Sequence, residues 1–114
     1  MINYENLKIT FTNCILKVKI CGDIDHHNAR QLREKIDAQI FSKKPRRVVL
    51  DFSSVSFMDS SGLGLIMGRY TNAAEIGASL IVYRPSPRVK KILELAGIER
   101  IIEIKGDTDH ALWK

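Results

Sequence analysis

Within the run FMDSSGLG, residues 57–64, an acid and two hydroxyls follow two large apolar side chains and stand just before two glycines. Ser60 and Ser61 could act as nucleophiles, as acceptors of a transferred group, or as caps for the first turn of a helix. Asp59 could cap the same helix through its carboxylate. A second concentration of reactive side chains lies upstream in GDIDHHNA, where Asp23, Asp25, His26 and His27 crowd together.

Each grouping can be set against the chemistry it would need. A hydrolase elbow requires Gly-x-Ser-x-Gly after a strand, but Met58 stands two before Ser60 and Asp59 two before Ser61. No spacing ties His26, His27 or His110 to either serine, so hydrolysis is disfavoured. Asp23-x-Asp25 resembles a phosphotransfer nucleophile of the haloacid dehalogenase type. His27 stands where that motif has Thr or Val, and the chain is short for that fold's other acidic motif and insert. Adjacent histidines point differently on any regular element, so a turn entering a helix is expected here and a metal site is not. No Gly-x-x-x-x-Gly-Lys-Ser/Thr loop is present to cradle a nucleotide, so a phosphoryl donor would have to be carried by another protein. No cofactor of the chain's own is expected.

A serine at a helix start is a tolerant place for a phosphate. Free N–H groups and the helix dipole both favour negative charge, by roughly 0.3–1 kcal/mol at a surface. Phosphorylation would add about −1.5 to −2 charges without melting the helix. Gly62 and Gly64 would keep the surface low for an approaching protein, while Gly68 reads equally as close packing of helix on sheet. Capping alone and an accessible acceptor both stay open for this stretch, as does the choice between Ser60 and Ser61.

These residues must be positioned by an alternating succession of elements. LKITFTN and ILKVKICG alternate apolar and polar residues, the mark of half-buried strands, with a short turn between them that predicts a hairpin. After the turn GDIDHHN, Asn28 is a natural N-cap, and Leu32, Ile36 and Ile40 with Ala29 line one face of a helix that Lys43–Pro45 ends. RRVVLDF has the continuous apolar centre of a strand buried on both faces. The spacing of Leu63, Ile66, Met67, Tyr70 and Ala74 predicts a second helix stopping at Gly77. SLIVYR is a strand; Ser86 and Pro87 begin a third helix that Gly97 ends; RIIEIK is a last strand and DTDHALWK a short terminal helix. This order predicts an α/β fold whose sheet is mostly parallel after an antiparallel hairpin, with about four helices. The loops after its parallel strands, including Asp59–Ser61, are where a partner would meet it.

The 114 residues, 45% hydrophobic and 27% charged, suit one globular domain with its own core. Cys14 and Cys21 form no Cys-x-x-Cys pair, which suits a reducing compartment. The opening MINYENLKIT lacks the pattern of a signal peptide, and no apolar run approaches the roughly 18 residues of a membrane span. A soluble, cytoplasmic protein without membrane association is expected. The net charge of +5 gathers in KKPRR at 43–47 and RPSPRVKK at 84–91. Neither carries interleaved aromatics, so solvated basic surface is expected over direct nucleic-acid binding, with a docking face for an acidic partner as a further reading.

GDIDHH followed by VVLDFSSVSFMDSSGLGLIMGRY resembles the bacterial anti-sigma factor antagonists, which are single STAS domains, and among them the sporulation members above all. The resemblance covers the chain from about Leu7 to about Ile104 and implies one STAS domain over residues 1–114. It implies a regulatory binding protein, not an enzyme. In that family the unphosphorylated antagonist binds an anti-sigma factor that is also a serine kinase, with its bound ADP or ATP, and the sigma factor is released for transcription. The kinase then phosphorylates the first serine of the DSSG motif, which matches Ser60; the antagonist lets go, and a separate serine phosphatase restores it. Asp25, His26 and His27 match the family loop near the acceptor, with Asp25 mattering for the kinase interaction. Asp59, Ser61 and Gly62 match the residues presenting the acceptor, and Arg69 matches the GRY of the binding-face helix. Nothing is carried over to KGDTDHALWK. The alternatives are a general-stress antagonist with another kinase and sigma factor, or a non-phosphorylated STAS subunit of a membrane transporter.

Overall fold

The computed structural model describes residues 2–106 of the chain. The two period-two runs form strands β2 (Leu7–Thr12) and β3 (Ile15–Cys21), paired antiparallel across a two-residue turn. Asn13 and Cys14 there both have positive φ, 55° and 63°, the geometry of the turn whose twist matches a hairpin. Cys14 therefore sits exposed in the turn. A short edge strand that the sequence pattern does not signal, β1 (Ile2–Asn3), adds antiparallel to β2. Beyond β3 the sheet is parallel: β4 (Arg47–Ser54), β5 (Ser79–Tyr83) and β6 (Glu103–Lys105) follow in chain order, giving six strands ordered as they occur in sequence.

Helices α1 (Ala29–Lys43), α2 (Ser60–Glu75) and α3 (Pro87–Leu95) connect the parallel strands, and a 3-10 turn spans Ile98–Arg100. The fourth helix expected at DTDHALWK lies outside the described residues. Leu32, Ile36 and Ile40 of α1, Leu65, Ile66 and Ala73 of α2, and Val89 and Leu93 of α3 all join one cluster with Val48, Leu50 and Phe52 of β4. Since strand side chains alternate faces, the three helices cover the same side of the sheet. The stripe that α2 buries is centred on Leu65, Ile66, Arg69 and Ala73, rotated from the expected Leu63–Ile66–Met67–Tyr70–Ala74 series. Apolar residues run almost all round the first two turns of α2, so spacing alone leaves the phase of the helix open.

Termini behave as their local chemistry requires. The N–H groups of Gly77 and Ala78 donate to the carbonyls of Ala74 and Ala73, at 3.0 and 2.8 Å, and Gly77 has φ 73°. This is the left-handed cap that closes a helix without a side chain. Ser86 accepts the Val89 N–H at 3.2 Å with Pro87 in the first turn of α3. On the sheet face away from the helices, Ile15, Val49, Ile81 and Tyr83 cluster, and Asp51 lies fully buried beside Arg84 Nη2 at 2.8 Å and Lys17 Nζ at 3.7 Å. The basic stretch 84–91 is thereby divided: Arg84 serves Asp51, Arg88 lies 5.1 Å from the Phe57 ring centre, and Lys90 and Lys91 are exposed. Among the described residues no helix is long and apolar enough to cross a membrane.

Candidate functional site

Strands β3 and β4 are parallel, so the two reactive segments emerge at the same carboxyl edge of the sheet. Beyond Cys21 and Ser54 the pairing continues in modified form. Gly22, with φ 109°, donates its N–H to Ser54 O at 3.1 Å, and Ile24 makes an isolated parallel bridge with Met58. Ile24 N–H donates to Phe57 O and Asp59 N–H to Ile24 O, each at 3.2 Å. Asp23 Oδ1 adds to this by accepting the N–H groups of Ser56 and Phe57, at 3.2 and 3.0 Å. Ile24 and Met58, both buried, anchor the paired loops in the core. GDIDHH and SFMDSSG are thus two halves of one braced platform.

On that platform Asp25 has the role expected of Asn28. Asp25 Oδ1 accepts the N–H groups of His27 and Asn28, at 2.9 and 3.1 Å, while Asn28 Oδ1 accepts the Asp25 N–H at 3.0 Å. This reciprocal arrangement caps the approach to α1. Asn28 stands at the N-cap position of α1 but makes no side-chain cap there. His26 and His27 project outward, exposed, with ring centres 3.9 Å apart.

Asp59 caps α2. Its Oδ1 accepts the Ser61 N–H at 2.7 Å, and its Oδ2 lies 3.9 Å from His26 Nδ1. The Ser61 backbone N–H is the chief cause holding the Asp59 carboxyl below the usual range; burial comes next and opposes it, and the Ser61 hydroxyl and His26 act with the N–H. One carboxylate therefore performs the capping for which three side chains stood in line. Ser60 is exposed and its hydroxyl makes no hydrogen bond with the described residues; Ser61 is half-buried. No hydrogen bond joins either serine to His26 or His27.

Gly62 and Arg69, unlike Ser60, are buried beneath the surface of the platform. A Cβ on Gly62 would lie 2.6 Å from Met58 Sδ and 2.8 Å from Met58 Cβ, so glycine is required for α2 to start over the platform. Open space surrounds Gly64 and Gly68, so close packing is not the reason for glycine at 68. Arg69, 4% exposed, sits in the seam between α1 and α2 with Nε 2.7 Å from Asp37 Oδ1, which also accepts from Asn72 Nδ2 at 2.8 Å. Burial pulls the Arg69 guanidinium below its usual range, Asp37 opposes this, and Arg33 adds to it.

Three surroundings of Ser60 escape sequence reasoning: the bracing by Asp23, the 41% exposed Phe57 beneath Arg88, and a groove beside α2 lined by His26, Arg30, Arg33, Ser61 and Gly64. An exposed aromatic just before the DSSG run was the one local signal.

Comparison with known proteins accords with this geometry. The family model for the STAS domain matches residues 6–111. The anti-sigma F factor antagonist of Paenibacillus polymyxa is 34% identical over 98 residues, covering 86% of this chain and 84% of that protein. The anti-sigma-B factor antagonist of Bacillus subtilis is 32% identical over 94 residues, covering 82% and 84%. The anti-sigma factor antagonist SpoIIAA, solved unphosphorylated, superposes with TM-score 0.80 at 28% identity, covering 92% of this chain and 90% of that one. Its phosphorylated form superposes with TM-score 0.72 at the same identity, covering 92% and 94%. The chain belongs to the STAS-domain family, among the anti-sigma factor antagonists.

Proposed function

We propose that this chain is a phosphorylation-controlled switch in sigma factor regulation. Its unphosphorylated form binds an anti-sigma factor that is also a serine kinase and so frees a sigma factor for transcription. With ATP on the kinase, the γ-phosphoryl group passes to Ser60 Oγ; the P–O bond to ADP breaks, ADP leaves, and the serine proton goes to a base or to water. A serine phosphatase then hydrolyses the phosphoserine and regenerates the binding form, all in the cytoplasm. The observation that carries this reading is the division of labour at the start of α2. Asp59 satisfies the helix, which leaves the Ser60 hydroxyl exposed and uncommitted on a braced platform. That SpoIIAA is known in both phosphorylated and unphosphorylated forms supports it.

Asp25, His26, His27, Asp59 and Ser61 form the contact surface around the acceptor in this reading, while Gly62 and Arg69 act from within by setting the position of α2. A dianion introduced into a close interface must find donors or break it, and misplaced charge there costs several kcal/mol. At about 1.4 kcal/mol for each tenfold in affinity, one phosphate suffices to release the partner. The likeness to an anti-sigma-B antagonist favours a second reading with the same chemistry: a general-stress circuit.

Intact mass after incubation with a sporulation anti-sigma factor kinase and ATP tests the switch. A single phosphoryl gain in the wild type and in Ser61→Ala, absent in Ser60→Ala, is expected. Ser60→Ala should still bind the kinase, and Ser60→Asp should bind at least tenfold more weakly. Transfer to Ser61, or Ser60→Asp binding as tightly as the wild type, would overturn the charge-switch reading. Transfer by a general-stress kinase and not by the sporulation kinase would select the second circuit.

A further inference from the structure

The groove beside Ser60 has a charge that the switch as described leaves unused. Its volume is about 250 Å³, and it opens between the first turns of α1 and α2. His26, Arg30 and Arg33 line it on one side, Ser61, Gly64 and Leu65 on the other. Arg30 has Nε 3.1 Å from Glu34 Oε1 and its other N–H groups have no partner among the described residues, while His26 Nδ1 lies 3.9 Å from Asp59 Oδ2. Arg33 forms no ion pair with any described residue. Farther along the same seam, Arg69 is 4% exposed and its Nη1 has no hydrogen-bond partner among the described residues. Glu34 and Asp37 each already hold an arginine, and Asp59 stands at the rim beside His26. The seam therefore keeps Arg33 without an ion pair among the described residues, and unmet donors on Arg30 and Arg69, at the positive end of a helix dipole.

Ser60 and Gly64 are one helical turn apart, on the same face of α2. A Cβ on Gly64 would meet nothing within 4 Å, so position 64 leaves the groove wall on this side low. We propose that the groove is a phosphate-binding site that captures the phosphoryl group carried by Ser60, with Arg30 and Arg33 as its principal ligands and His26 at its rim. This inference rests on Ser60 being the acceptor. Guanidinium groups suit the role because their forked donors match phosphate oxygens in pairs. In the captured state the dianion lies back against α1 and occupies Arg30 and Arg33. Phosphorylation then changes the surface of α1 as well as the tip of α2, and a partner reading either one is turned away.

Phosphoserine placed at position 60 during translation tests this without a kinase. The second ionisation of the phosphate is followed by 31P NMR in the wild type and in Arg30→Gln/Arg33→Gln. Facing charges common to both proteins are Asp25, His26 and His27 from the loop, Glu34 from α1, Asp59 from the start of α2, and Arg88 from α3. Nearby cations favour the dianion, so the wild-type midpoint should lie about half a pH unit or more below that of the double variant. Lys90→Gln/Lys91→Gln, which removes the same charge elsewhere, should titrate like the wild type. Phosphorylation should also shift the Arg30 and Arg33 Nε–H resonances. Equal midpoints in all three proteins, or equal rises in both double variants, would overturn the proposal. So would an unshifted midpoint together with loss of kinase binding by Arg30→Gln/Arg33→Gln, which would make the groove a docking site for an acidic partner surface. Failure of a kinase to modify Ser60 is a separate result, bearing on the switch and not on this titration.

Discussion

Ser60, Ser61 and Gly62 are consecutive and have three different occupations. Ser60 faces solvent, Ser61 gives its N–H to Asp59, and Gly62 allows the chain to pass over Met58. The last is testable by itself. Gly62→Ala places a Cβ 2.6 Å from Met58 Sδ and 2.8 Å from Met58 Cβ. The thioether can swing aside, but the Cβ cannot move unless the Ile24–Met58 bridge moves with it. A loss of about 1–3 kcal/mol in urea unfolding is expected, as for an overpacked core. Gly64→Ala, with nothing within 4 Å, should be neutral or stabilising by up to about 1 kcal/mol through helix propensity. Equal midpoints for the two variants would show that the platform yields freely at Met58.

At the scale of elements, α1 and α2 run side by side because both return from the carboxyl edge of one parallel sheet. Their seam is polar at its middle, where Arg69, Asp37 and Asn72 meet. Burying a guanidinium disfavours its charge, which is why burial heads the causes acting on Arg69. Arg69→Ala removes the partner of Asp37 and leaves a void, at an expected cost of about 2–3 kcal/mol, tempered because Asp37 is partly solvated. Arg69→Met keeps most of the volume without a charge to bury and should cost clearly less, since buried ion pairs often exchange with apolar side chains at little loss. Chemical denaturation of both variants separates packing from pairing. If Met proves as damaging as Ala, the ion pair itself holds the two helices together.

For the molecule as a whole, acid is the expected point of weakness. Burial raises the Asp51 pKa, but hydrogen bonds from Arg84 and from Ser53, with the Arg84 charge, outweigh it and leave the carboxyl below the usual carboxylate range. A carboxyl lowered in the folded state stabilises fully above its unfolded pKa, and that stabilisation is lost as pH falls through the folded value. Asp59, lowered chiefly by the Ser61 N–H, acts in the same sense at the exposed end of α2. Melting temperatures between pH 6 and pH 2 should therefore fall more steeply for the wild type than for Asp51→Asn. At pH 6 the variant should already be less stable, by about 2 kcal/mol, with part of the pairing discounted because Arg84 and Lys17 are partly exposed. Parallel curves would mean that Asp51 is not the group whose protonation matters.

Local physics made much of this legible in sequence. Ser86–Pro87 starts α3, Gly77 closes α2, Leu32–Ile36–Ile40 faces the core, and the apolar run Val48–Leu50 with Phe52 is a central strand; each depends only on near neighbours along the chain. The DHH and DSSG segments, with their family resemblance, marked the candidate site for the same reason: their chemistry is written in consecutive residues. Tertiary structure decided what those residues do. The phase of α2 depends on Met58 and α1, and Asp25 displaces Asn28 as the cap because Ile24 is tied to a loop more than thirty positions away. Asp51 can sit within an apolar strand because Arg84, 33 residues on, and Lys17 of the neighbouring strand reach it. Arg30 and Arg33 read as an ordinary solvated helix face until the parallel sheet sets the start of α1 beside the start of α2. Side-chain type and spacing constrain what a segment can form, whereas burial, pairing and the shape of a groove arise between segments and exist only once the sheet has brought them together.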